Sequence, residues 1–492
     1  MEITKELFKT IMDEYIIPLI PVADAKTKGE DGKELSRIVD LDSCPDCIKQ
    51  SQKPITVYKN DKGDESYWFF HPRTRTPSFF YRLALSCDAN YIRDLTPILK
   101  CIIKTVSRFQ VSDPSEIKYY LDELCQSALT LGVCTSLVQG DSRFKLAEAI
   151  TKLESWTKKY YEGKKVPFGI IIDFANNNEN KSPDFLHFLG SKFSACFTDG
   201  VFSAMLLNAK GQILDHIAFP TKKHQSASDD TEIGSKNYPI APTRFKHFSR
   251  MCYDNKIGLI ALSNGDILII TKRQLCFAKR EGKWHEYNYS GFFRPCLEKI
   301  LSFSQKAGNK SSKAFTENIS KTVYQSLLDS SFSHTGACLA LIDFTEHSDK
   351  DEFIEMLGDC LIMPNKKGDS GSDNTEGAEK TSEKKEIKEI TKEEEKKAVI
   401  QMLTYYLDTP RSFVKLSNKL RVELMSMDGA VVLDRRGCVR TAGAILKIQP
   451  GSEEGARYAA ARALSRYGVS FKVSEDGGIT GLYNEKIVFR TE

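Results

Sequence analysis

The chain has 492 residues, more than one ordinary hydrophobic core serves, and at roughly 100–200 residues per domain it should hold several. Hydrophobic residues make up 41% and charged residues 28%, a globular balance that excludes wholesale disorder. The 70 Lys and Arg against 66 Asp and Glu leave a formal charge of +4. That excess is too small to argue for binding nucleic acid through its phosphates.

Thirteen cysteines is an odd number, and many stand in apolar segments such as Leu85–Cys87, Leu99–Ile103 and Ala337–Leu341. Cysteine there behaves as a small hydrophobe, which fits reduced thiols and a cytoplasmic location better than a disulfide framework. The first residues, Met1-Glu2-Ile3-Thr4-Lys5-Glu6, carry no apolar secretory core. The best membrane candidate, Ile257 to Ile270, is short and holds Asn264 and Asp266, so no membrane association is expected.

Residues 1–162 read as a mostly helical domain. Ile92, Leu95, Leu99, Ile102 and Val106 recur at helical spacing, with Thr96 as cap and Pro97 in the first turn. Asp113-Pro114 starts a second helix carrying Ile117, Tyr120, Leu121 and Leu124, and a third runs from about Phe144 to Tyr161. Residues 22–65, rich in Lys, Asp and Gly, read as loop with one strand at Ile55–Tyr58. Within them, Cys44-Pro45-Asp46-Cys47 is the only CxxC. It reads first as a plain turn and second as half of a zinc site completed by His71 or Cys87.

Residues 163–294 change texture to short apolar runs: Phe168–Phe174, Val201–Leu207, Ile213–Phe219, Ile257–Leu262 and Asp266–Thr271. Turn sequences at Asn208–Gly211 and Ser263–Asp266 join pairs of them, and a helical segment fills Arg244 to Tyr253. This predicts an α+β domain with an antiparallel sheet. Residues 295–492 form a third unit, with a helix over Ile319–Leu328 and a buried strand over Gly336–Asp343. Residues 365–397 are so charged that a disordered insertion is expected there. No internal repeat shows at a fixed period.

Common phosphate-loop, dinucleotide, zinc-protease and serine-elbow motifs are missing. What remains is a set of short motifs near the C-terminus. Asp428-Gly429-Ala430 enters a buried β run, Gly455-Ala456-Arg457 opens an alanine-rich helix, and Ser474-Glu475-Asp476-Gly477-Gly478 follows a strand. Backbone N–H groups at that helix start, with Arg457, make a plausible anion cradle.

Four motifs occur in one order: Ser326–Asp343, Phe413–Leu433, Gly455–Ser465 and Val473–Gly478. In that order the segment from about Leu297 to Phe489 resembles the DisA-type diadenylate cyclase domain. The resemblance implies a C-terminal α/β domain with a mixed central sheet, within an α+β multidomain chain. It also implies condensation of two ATP into cyclic di-AMP with release of two pyrophosphates, in a homo-oligomer of at least two domains, with divalent Mn²⁺ or Mg²⁺ as cofactor. Carried over residue by residue, Asp428 is catalytic and binds metal, with Glu475 as its acidic partner at the metal. Gly429, Ala430, Gly455, Ala456, Arg457, Ser474 and Glu475 hold the nucleotide. The regions ahead of this domain look like the sensor region that some soluble members carry.

The sequence departs from the family at Met427, where a histidine is often found, and at Tyr458 and Ala459, where the family's phosphate-binding His and Arg would follow Arg457. Those departures keep two alternatives open. One is a catalytically weakened sensor of ATP or a cyclic dinucleotide; the other is a structural interaction protein.

Overall fold

The computed structural model describes residues 3–20, 36–40, 44–45, 48, 55–59, 65–69, 79–84, 95–109, 116–160, 164–177, 184–189, 197–220, 239–287, 289–294, 297, 310–342, 353, 356, 412–434, 436–447 and 455–491. They divide into two compact units. The first is Met1–Phe332 with Gly478–Gly481 and Ile487–Glu492; the second is Ser333–Gly477 with Leu482–Lys486. The expected insertion at 365–397 lies outside the described residues, as do Asp113 and Pro114.

The first unit opens with helix α1 (Lys5–Ile11), capped by Thr4, whose Oγ1 accepts from the Leu7 N–H at 3.2 Å. Four strands follow: β1 (Ser36–Asp40), β2 (Ile55–Lys59), β3 (Glu65–Phe69) and β4 (Phe79–Ala84). They form an antiparallel sheet in the order β1-β4-β3-β2, where the sequence suggested loop and one strand. The strands are short and set among Lys-, Asp- and Gly-rich stretches, so their local composition reads as loop. Cross-strand packing makes them a sheet: Val39, Cys44, Ile48, Trp68 and Phe80 share one apolar cluster. Cys44 is buried there, its thiol directed at the Asp40 carbonyl at 3.4 Å. Cys47, His71 and Cys87 lie outside the described residues.

Helices α2 (Thr96–Arg108), α3 (Ile117–Leu137) and α4 (Ser142–Thr157) come next. In α2 the cap is Leu95 rather than Thr96, and Pro97 sits in the first turn, where its missing N–H costs nothing. The stripe Ile98, Leu99, Ile102, Ile103 and Val106 is fully buried, each side chain contributing about 1.5–3 kcal/mol.

The larger sheet of this unit uses β5 (Phe168–Asp173), β6 (Ser203–Asn208), β7 (Ile213–Ala218), β8 (Lys256–Ala261), β9 (Ile267–Thr271), β10 (Gln274–Arg280) and β11 (Lys283–Glu286). A short helix α5 (Phe185–Phe188) lies between β5 and β6, and α6 (Lys246–Met251) precedes β8. The order is β11-β10-β9-β8-β5-β6-β7. Here the expectation of an antiparallel sheet is corrected: β5 and β6 are parallel, so the sheet is mixed. A long crossover joins those two strands, and hairpin signals in the sequence say nothing of pairs made that way. The last helix of the unit is α7 (Lys310–Phe332).

The second unit holds β12 (Ala337–Ile342), α8 (Asn418–Ser426), β13 (Ala430–Asp434), β14 (Val439–Ala444), α9 (Ala456–Leu464) and β15 (Gly468–Val473). Central β12 is buried along its whole length, parallel to β13 and antiparallel to β15. The sheet is mixed, as expected, and its order continues through β16 (Ile479–Tyr483) and β17 (Lys486–Arg490) as β14-β13-β12-β15-β16-β17. The chain is therefore α+β. Among the described residues no helix is long and apolar enough to cross a membrane.

Candidate functional site

Strand direction gathers the C-terminal motifs at one end of β12. Gly336 precedes β12 and Asp428-Gly429 precede its parallel neighbour β13, so both enter from the same end. β15 runs the other way, and its last residue, Val473, pairs with Ala337, the first of β12. Ser474 and Glu475 therefore leave the sheet where Gly336 enters it. Helix α9 brings Gly455, Ala456 and Arg457 to the same place: Arg457 approaches Asp428, Glu475 and Gly336.

Arg457 is the centre of this group. Its Nη1 donates to Glu475 Oε1 at 3.2 Å, and its Nη2 stands 4.0 Å from Asp428 Oδ1. The carboxylates are open to solvent, Asp428 at 89% and Glu475 at 77% exposure, while Arg457 is at 31%. Ion pairs so exposed are worth at most ~1 kcal/mol. The arrangement holds the guanidinium between two carboxylates at little energetic cost to separating them.

Three residues the sequence reading passed over complete the setting. A Cβ at Gly336 would lie 2.2 Å from Arg457 Nη1, so only glycine leaves room for the guanidinium there. His334, in the left-handed region at φ 54°, has Nδ1 3.1 Å from the Glu475 carbonyl, tying the two loops together. Cys338, buried in β12, has its thiol pushed up to about 12 by burial, with the Arg457 charge acting the other way. Their signal in the sequence was the Ser326–Asp343 motif with its Gly-Ala step, which gave none of the three a role at the site.

The glycines are backbone requirements. Gly429 has φ 95°, and a Cβ on it would meet Gly443 C at 2.6 Å and Ala444 O at 2.7 Å. Gly455 caps α9 at φ 89° with no side-chain cap, so Ala456 and Arg457 begin the helix behind a bare glycine. Ala430 is buried as the first residue of β13.

As metal ligands the two carboxylates differ. Mg²⁺ is commonly held by one or two carboxylates plus substrate phosphates. Asp428, 4.0 Å from the guanidinium, is the less engaged of the two, while Glu475 accepts from Arg457 at 3.2 Å in an exposed pair that little energy holds together. Among the described residues no group of three His, Cys, Asp or Glu side chains could hold a metal.

No family model matches this chain, and no curated protein matches it. Among solved structures the chain is similar to a double mutant of DacA from Staphylococcus aureus, at 14% identity and a TM-score of 0.22. That likeness covers 36% of this chain and 88% of DacA.

Proposed function

We propose that the C-terminal region is a diadenylate cyclase-type nucleotidyltransferase that binds ATP at the Asp428–Arg457–Glu475 end of β12. The observation that supports this is the position of Arg457. One guanidinium, seated over Gly336 at the start of α9, faces two exposed carboxylates drawn from two other motifs. A triphosphate entering this end can exchange with the weakly held carboxylates for the guanidinium, forming charge-assisted hydrogen bonds about twice as strong as neutral ones.

In the reaction each ATP's 3′-oxygen bonds to the other's α-phosphorus, the α–β anhydride bond breaks, and pyrophosphate and the hydroxyl proton leave. In this reading Asp428 accepts that proton and would hold Mn²⁺ or Mg²⁺, which when bound supplies charge screening of the triphosphate. Gly429 lets the nucleotide approach the backbone, while Arg457 and the amides after Gly455 orient the phosphates. Two sites must face each other, so the active species is at least a dimer.

A second reading, a sensor that binds ATP or cyclic di-AMP without turnover, is favoured by Tyr458 and Ala459. They leave Arg457 as the only cation in the first turn of α9. Incubation of the full chain with ATP and Mn²⁺ or Mg²⁺, read by mass spectrometry beside Asp428→Asn, separates the two. Cyclic di-AMP from the parent alone supports the cyclase. ATP binding without product supports the sensor, and absence of both product and binding would overturn both.

A further inference from the structure

The two larger sheets follow one plan. β5 lies parallel to β6 and antiparallel to β8, β6 turns back into β7, and β8 leads on to β9 and β10. In the same way β12 lies parallel to β13 and antiparallel to β15, β13 turns back into β14, and β15 leads on to β16 and β17. A helix precedes the fourth strand in both, α6 in one and α9 in the other.

The backbone agrees in detail. The first parallel pair ends at Asp173 beside Asn208 and the second at Ile342 beside Asp434. Asn208 and Asp434 open the same turn. Asn208 Oδ1 accepts from Lys210 and Gln212 N–H at 3.0 and 2.9 Å; Asp434 Oδ1 accepts from Arg436 and Cys438 N–H at 2.8 and 3.0 Å. Gly211 and Gly437 follow at φ 84° and 67°.

Register then sets Lys256, opposite Asp173, on Gly468, opposite Ile342. From there to the start of the sixth strand, Gln274 against Lys486, no insertion intervenes. Gly265 (φ 105°) falls on Gly477 (φ 95°), and Lys272-Arg273 (φ 50°, 63°) fall on Asn484-Glu485 (φ 48°, 62°). No fixed period shows in the sequence because the connections ahead of the matched strands differ in length, so Asp173 and Ile342, Asn208 and Asp434, and Lys256 and Gly468 stand at three different separations.

The matched positions do not carry the same chemistry. Phe202 takes the place of Asp428 and Ser263 that of Glu475, so both carboxylates are gone. Arg244 stands one position from the match to Arg457, and it is already used. The C-terminal turn of α7 lies against it: Arg244 Nη2 donates to the Phe332 carbonyl at 3.3 Å. Thr243 N–H and Oγ1 donate to the two oxygens of Asp329 at 2.6 and 2.7 Å. Arg280, in a buried ion pair with Asp266 at 3.2 Å, donates to Ser331 Oγ and the Ser331 carbonyl at 2.9 and 3.1 Å. Arginines thus satisfy carbonyls that a helix end leaves without intrahelical partners.

We infer that the β5–β10 region is a second, internally duplicated copy of the C-terminal fold, in which the Thr243–Arg244 position clamps the last turn of α7 in place of a nucleotide. Among the described residues this leaves one nucleotide site, a count that rests on the function proposed above.

Two measurements on the full chain test this. Amide hydrogen exchange at Ser330–Phe332 should rise at least tenfold in Thr243→Val or in Arg244→Gln and stay unchanged in Arg457→Ala. Unchanged protection in the first two variants overturns the clamp. Calorimetric titration with α,β-methylene-ATP and Mg²⁺ should give one equivalent, weakened at least tenfold in Arg457→Ala and kept in Thr243→Val. A second equivalent, or one lost in Thr243→Val, overturns the count. If no protein binds the analogue, the nucleotide reading fails, and the exchange rates alone decide the clamp.

Discussion

Gly336 and Arg457 occupy one another's space: a Cβ on the glycine would stand 2.2 Å from Nη1 and 2.6 Å from Cζ of the guanidinium. Those atoms are the far end of a flexible side chain, so Gly336→Ala can be absorbed by swinging Arg457 away from Glu475. Stability should then change by less than ~1 kcal/mol, since the displaced ion pair is exposed. Affinity for α,β-methylene-ATP should fall by about tenfold, the scale of one lost charge-assisted contact. Calorimetric titration beside thermal unfolding checks both; unchanged affinity would show that the guanidinium does not meet the ligand.

Gly429 contrasts with it. A Cβ there meets backbone atoms of Gly443 and Ala444 that cannot swing aside, at a φ of 95° that L-residues rarely adopt. Gly429→Ala should therefore cost folding stability, by about 2–3 kcal/mol, as well as binding. Urea unfolding with the second unit's signal isolated measures it. A wild-type midpoint would mean that β13 and β14 part easily at that end.

His285 gives the first unit a pH dependence. Burial lowers its imidazole pKa to about 4, with Nδ1 donating to the Thr491 carbonyl at 2.8 Å. The folded value lies below the unfolded value of about 6.5, so the unfolded chain binds the extra proton first. Stability is then fully present above about pH 6.5 and is lost as the pH falls toward 4, by roughly 3 kcal/mol in all. Urea midpoints at pH 7 and 4.5 should separate accordingly in the parent and less in His285→Gln. Equal pH slopes in the two proteins would dismiss the assignment.

Patterns that are local in the chain were legible in the sequence. The apolar stripe of α2, the runs that became β5–β9 and the Gly-Ala entry to β12 all follow from side-chain period and turn residues over a few positions. The parallel pairing of β5 with β6 was not, because a crossover leaves no mark in either strand. The four strands of residues 36–84 were hidden by the polar loops around them, and they become a sheet only through contacts such as Trp68 with Phe80. At the candidate site, Asp428, Arg457 and Glu475 could be read from motif order. The roles of Gly336 and His334 could not, since each depends on a loop brought back by the sheet.

Asp329 carries the last prediction, and its sequence neighbourhood (Leu328-Asp329-Ser330-Ser331) gives no hint of it. The carboxylate is 7% exposed and accepts from both the N–H and the hydroxyl of Thr243, with the Arg244 charge nearby. Arg244 is itself lowered in pKa by burial, against the opposing pull of Asp329 and Asp266, so removing one acid leaves a buried cation less well compensated. Asp329→Ala should destabilise the chain by about 1–3 kcal/mol, because it leaves the Thr243 N–H and hydroxyl without their acceptor. Asp329→Asn keeps an acceptor oxygen for Thr243 and loses only the charge, so it should fall between Ala and the parent. The ordering of thermal midpoints, parent above Asn above Ala, is the measurement. If Asn and Ala unfold together well below the parent, the charge facing Arg244 supplies nearly all the stabilisation and the Thr243 hydrogen bonds almost none. If both match the parent, α7 is held by Arg280 and its apolar contacts, and Asp329 holds nothing.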